Sequence, residues 1–149
     1  MKTQWLLMLA LAPLTATAGD ALDKAKAKEL AAFQGEWRVN WVERDGEKTE
    51  QEQDAIYTIK GNKWLRGETE ISSIEIDPSP NPRLLDLTRL IDDAKKGLKM
   101  EGIYKLEGDT MVWCIYTGEG TKQRPLEFRA PHGWDGTVYH MTRVKAATK

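Results

Sequence analysis

The sequence predicts an all-β, antiparallel fold, a β-barrel of about eight strands preceded by one short N-terminal helix. Three observations predict it. From Gly35 onward, apolar and polar residues alternate with period two. The alternating runs are short and recur about every 8–12 residues between turn formers, the spacing of a closed barrel or a two-sheet sandwich. Two of the turns, Gly61-Asn62 and Gly108-Asp109, are Gly-led two-residue hairpin loops, which set the register of the strands on either side.

The residues before the first strand carry a different signal. Lys2 gives one positive charge, an apolar run follows from Trp5, and Ala16-Thr17-Ala18 supplies small residues at a cleavage pattern. The run is far short of the ~20 residues that cross a bilayer. Residues 1–18 therefore read as a signal peptide cut before Gly19, and residues 19–149 as one domain with no membrane anchor, secreted or periplasmic. From Asp20 to Phe33 the chain is rich in Ala and Lys, with Asp20 or Asp23 as N-cap and Gly35 as the stop, which predicts the helix.

The strands follow in order. Trp37, Val39 and Trp41 alternate in the first, which ends at Asp45-Gly46. Glu47 to Asp54 is a charged run and reads as a solvated loop. In the hairpin Ala55 to Arg66, Lys60 pairs with Lys63, so Ile59 meets Trp64 and Tyr57 joins them on the inner face. Ile74 and Ile76 mark a strand ended by Asp77-Pro78-Ser79-Pro80-Asn81-Pro82, and Leu85 and Leu87 begin another. Residues 88–98 also fit one helical turn. In the hairpin Lys99 to Tyr116, Glu107 pairs with Thr110, which sets Leu106 opposite Met111, Tyr104 opposite Trp113 and Gly102 opposite Ile115 on the core face. Lys105–Val112 and Ile103–Cys114 fall on the other face. Leu126 and Phe128 suggest one more strand, and Thr137 to Val144 the last.

Gly35-Glu36-Trp37 at the start of the first strand and Arg143 near the end of the last resemble the lipocalin-type signature, in which an arginine stacks on the first-strand indole where the barrel closes. Further matches sharpen this: Asp45-Gly46, Gly61-Asn62-Lys63, Asp77-Pro78-Ser79, Gly102-Ile103-Tyr104-x-Leu106-x-Gly108-Asp109-Thr110, Cys114, Arg124-Pro125-x2-Phe128 and Gly136-Thr137-Val138. Over about Leu30 to Lys145 the chain resembles an uncharacterised lipocalin-like domain family common in exported planctomycete proteins. The resemblance implies a lipocalin-like barrel outside the cytoplasm and brings no catalytic residues with it. The loop from His132 to Asp135 departs from the family in carrying Trp134, whose role stays open.

The composition is poor in chemistry. The formal net charge is −1, which gives nucleic acid no electrostatic footing. Cys114 is the single cysteine, so no intramolecular disulfide forms, and it lies in an apolar run where a packed thiol is the usual case. The two histidines, His132 and His140, have no metal-ligand spacing, and a Cys114–His140 dyad needs strands distant in sequence to meet. Ser72 and Ser73 lie outside any nucleophile elbow. Neither an enzyme nor a cofactor is expected. Binding has better support: an eight-stranded barrel holds one small ligand or is filled by side chains. The aromatic inner face offers Trp41, Tyr57, Trp64, Tyr104 and Trp113 as the wall for a small apolar or amphipathic guest, with Gly102 leaving space beside Tyr104. The other reading is a filled barrel that serves a structural or protein-interaction role.

Overall fold

A computed structural model describes residues 15–119 and 123–146 of the chain, so residues 1–14 of the expected signal peptide lie outside the described residues. The elements are α1 (Ala18–Phe33), β1 (Gly35–Arg44), β2 (Glu47–Thr49), β3 (Ile56–Lys60), β4 (Lys63–Arg66), β5 (Thr69–Asp77), β6 (Arg83–Arg89), β7 (Lys99–Glu107), β8 (Thr110–Tyr116) and β9 (Gly136–Arg143). Each strand from β3 to β9 pairs antiparallel with the next, β1 pairs with β3, and β9 returns to β1, which closes an eight-stranded barrel. β2 is a short edge strand outside the ring, paired with Val42 to Arg44 of β1. Part of the expected solvated loop is therefore a strand.

Both hairpin registers hold as the Gly-led turns require. Lys60 faces Lys63 and Ile59 faces Trp64; Tyr104 faces Trp113 and Gly102 faces Ile115. Gly61 and Gly108 sit at φ 60° and 58°, the left-handed first position that such a turn demands. Asp45 and Gly46, at φ 50° and 77°, make the β1–β2 turn with both central residues left-handed.

Three expectations need correction. The helix begins at Ala18, capped by Thr17: its hydroxyl accepts from the Asp20 amide and the Asp20 carboxylate accepts from the Thr17 amide. Asp20 is thus the third helical residue of a capping box, where its charge also suits the helix dipole, and neither it nor Asp23 is the N-cap. Residues 90–98 form turns instead of a helix, tied by Leu90 N–H to Ile71 O and Gly97 N–H to Arg89 O. Leu126 and Phe128 belong to no strand. Their segment is a loop, with Leu126 85% exposed and Phe128 packed against the outside of the barrel.

That loop explains why both faces of β8 are buried. Outside the barrel, Ile103, Val112, Cys114 and Val138 form a second apolar cluster covered by Ala130, Phe128 and Trp134. The loop is pinned to the β1–β2 turn: the Ala130 amide donates to Glu43 Oε1 at 2.7 Å, the Gly133 amide to Asp45 Oδ1 at 2.7 Å, and the Gly46 amide to Ala130 O at 2.6 Å. Trp134 finds its place here. Its ring lies where a Cβ on Gly136 would be, and its centroid is 5.8 Å from that of Tyr116.

Candidate functional site

The two ends of the barrel differ because the helix covers only one. At that end Phe33, the one fully buried residue of α1, sits edge-on to Tyr104 at 5.0 Å and 6.1 Å from Trp113. Trp37 donates its indole N–H to Phe33 O at 2.8 Å. Glu29 on α1 accepts from the Tyr104 hydroxyl at 3.2 Å and pairs with Arg83 at 2.5 Å. This half is filled with side chains.

The other half holds a cavity of about 370 Å³, at the small end of the range of ligand sites, ~300–1,000 Å³. Tyr57, Trp64, Leu87, Met100, Ile115 and Tyr139 wall it, and Ser72 joins them from β5. Leu98 and Lys95 reach it from the loop between β6 and β7. A more open depression of about 720 Å³ continues outward from Lys95 and Thr117 towards Arg44 and Trp134.

Charges ring the mouth in pairs. Arg89 binds Asp93, Lys95 binds Glu119 at 2.9 Å, and Arg44 binds Glu52. Glu52 also accepts from the Tyr57 hydroxyl at 3.0 Å, so a residue from the charged run after β2 anchors a wall of the cavity. Burial raises the Tyr57 phenol well above its ordinary value, and burial with Glu52 nearby pushes Tyr139 up to about 12, so both rings stay neutral as cavity walls.

Two polar atoms on one wall lack partners. Trp64 and Ser72 are directly opposed residues of β4 and β5, and both are buried. Neither Trp64 Nε1 nor Ser72 Oγ has a hydrogen-bond partner among the described residues. An unpaired buried polar group costs about 1–3 kcal/mol. Trp113 Nε1, in the filled half, is likewise unpaired, with its ring edge-on to Trp64 at 5.3 Å.

Of the five aromatic residues expected to line the interior, Tyr57 and Trp64 border the cavity, while Tyr104 and Trp113 are packed in the filled half. Trp41 is outside the barrel. Its ring stacks on His140 at 3.5 Å, with Lys48 Nζ 4.9 Å from its centroid. The cause is a bulge: Val39 pairs with Met141 but Trp41 with His140, so Asn40 is an extra residue and the inward parity passes to Val42. Gly102 leaves no gap either. A Cβ there would lie 2.5 Å from Cys114 O and 3.3 Å from Leu85 O, so the glycine serves the close approach of three strands.

Ser72, Leu87, Met100, Ile115 and Tyr139 were not expected at the site. Ser72 had a signal in the sequence, since it precedes Ile74 and Ile76 by the same two-residue step that puts them inward.

Cys114 is buried outside the barrel, donating to Arg129 O at 3.6 Å, and burial pushes its thiol up to about 12. His140 pairs with Val112, and burial lowers its pKa. Cys114 donates to Arg129 O while the His140 ring stacks on Trp41, and no hydrogen bond joins the thiol to the imidazole among the described residues.

No family model matches the chain, and neither a curated protein nor a solved structure matches it.

Proposed function

We propose that this chain is an exported barrel protein that binds one small apolar or amphipathic molecule in the uncovered half of its barrel, without chemistry on it. The observation that carries this reading is the cavity of about 370 Å³ walled by Tyr57, Trp64, Leu87, Met100 and Ile115. A protein that only needed a filled core would gain by packing that space, as the other half is packed, because every unfilled void forfeits dispersion contacts. The lipocalin-like pattern of Gly35-x-Trp37 and Arg143 points the same way.

The test is a titration with the neutral apolar dye N-phenylnaphthylamine, read as tryptophan quenching. Saturable quenching at one dye per chain supports the reading. Its absence leaves the barrel as a structural or partner-binding scaffold. Export is read separately, by sequencing the N-terminus of the protein recovered outside the cytoplasm. A start at Gly19 is expected, and a start at Met1 overturns it. Cleavage there also removes Thr17 and its cap, leaving Asp20 and Asp23 nearest the new helix end.

A further inference from the structure

Resting on that reading, we infer that Trp64 and Ser72 form the polar recognition point of the cavity, and that its ligand is a neutral molecule that brings a hydrogen-bond acceptor, such as a carbonyl oxygen, to an apolar body. The two side chains stand opposite one another on neighbouring strands, both more than nine-tenths buried, and both border the cavity. The indole N–H can only donate, and the hydroxyl can donate to the same oxygen. Both are unsatisfied among the described residues. A pair of unused donors on an otherwise apolar wall is the arrangement that fixes a guest's orientation while the surrounding surface supplies the binding.

The charge of the ligand follows from the mouth. Arg89, Lys95 and Arg44 each already bind a carboxylate, Asp93, Glu119 and Glu52. At these three positions an anionic head would have to displace a partner, and a cationic head would meet carboxylates already neutralised. Inside, the phenols of Tyr57 and Tyr139 stay protonated. A neutral acceptor meets Trp64 and Ser72 with no such exchange.

Three probes of similar length separate the terms: heptane, methyl pentyl ketone and heptanoate. The readout is the affinity of each, together with the indole N–H resonance of Trp64, assigned by its loss in Trp64→Phe. The ketone is expected to bind about tenfold more tightly than the alkane, the worth of one to two net hydrogen bonds, and to move the Trp64 resonance downfield. Ser72→Ala, which removes an unpaired hydroxyl and so leaves the fold intact, is expected to narrow the ketone's advantage over heptane about threefold. Equal binding of ketone and alkane with an unmoved Trp64 resonance overturns this inference alone. Tightest binding by heptanoate overturns the neutral head. Failure of all three probes to saturate overturns both this inference and the binding function beneath it.

Discussion

The guanidinium of Arg143 lies 4.3 Å from the centroid of the Trp37 ring and at the same time donates to Ala32 O at 2.7 Å and Gln34 O at 2.6 Å. One side chain of the last strand therefore holds the first strand through its indole and the helix through carbonyls at its C-terminal end, where a helix runs out of intrahelical donors. Asp109 in the β7–β8 turn, 3.2 Å from Arg143 Nε, completes the latch.

Removing the latch should show at equilibrium. Arg143→Ala is expected to lower stability by about 2–3 kcal/mol, combining lost cation–π stacking with hydrogen bonds lost at the helix end. Arg143→Lys should fall between, since an ammonium keeps the charge but not the planar fork. Urea unfolding midpoints measure this. A shift worth less than about 0.5 kcal/mol for the alanine variant would mean that the barrel closes without Arg143.

Gly102 gives a second prediction, opposite to what an empty interior beside Tyr104 would give. A Cβ there would meet Cys114 O at 2.5 Å, and backbone cannot yield as a side-chain tip can. Gly102→Ala is expected to destabilise by about 1–3 kcal/mol through overpacking, with dye binding otherwise unchanged. A neutral or stabilising outcome would show that space exists.

What the sequence reveals and what it hides divide along physical lines. The hairpins were legible because a Gly-led two-residue turn leaves one register, and the pairs Tyr104–Trp113 and Ile59–Trp64 stand as counted. Arg143 over Trp37 was legible because two ends of a closed barrel must meet. The outward place of Trp41 was not. Period-two counting carries through Val39, but a single bulged residue, Asn40, reverses every later side chain, and nothing local announces it. Leu126 and Phe128 alternate as a strand would, but the loop carrying Phe128 and Trp134 is held by tertiary contact with the outer face of β7–β9, which no local pattern encodes. Which half of the interior is filled depends on Phe33 of α1, a docking event that no strand pattern encodes.

The tyrosines predict how stability varies at alkaline pH. Burial raises Tyr57 and Tyr104 above the usual phenol value of 10.0, and raises Tyr139 to about 12. Cys114 is raised likewise, from 9.0 to about 12. Between these values the unfolded chain gives up protons that the folded chain keeps, so stability falls as pH rises. Their contribution is complete below about pH 9 and is lost progressively as the pH climbs to about 12. Urea midpoints at rising pH test this, with a steady decline above pH 9 expected. A flat profile to pH 12 would contradict neutral burial of these groups.

The proposed site is the uncovered half of the barrel and no other surface. Met100, partly buried at the cavity wall, is the residue whose enlargement fills that space with least disturbance of the core. The most direct measurement is the N-phenylnaphthylamine titration repeated on Met100→Trp, read as dye fluorescence, with both proteins shown to unfold at comparable urea. One saturable site in the parent and its loss in the filled variant are expected. Equal saturable binding by both proteins, or none by the parent, would contradict it.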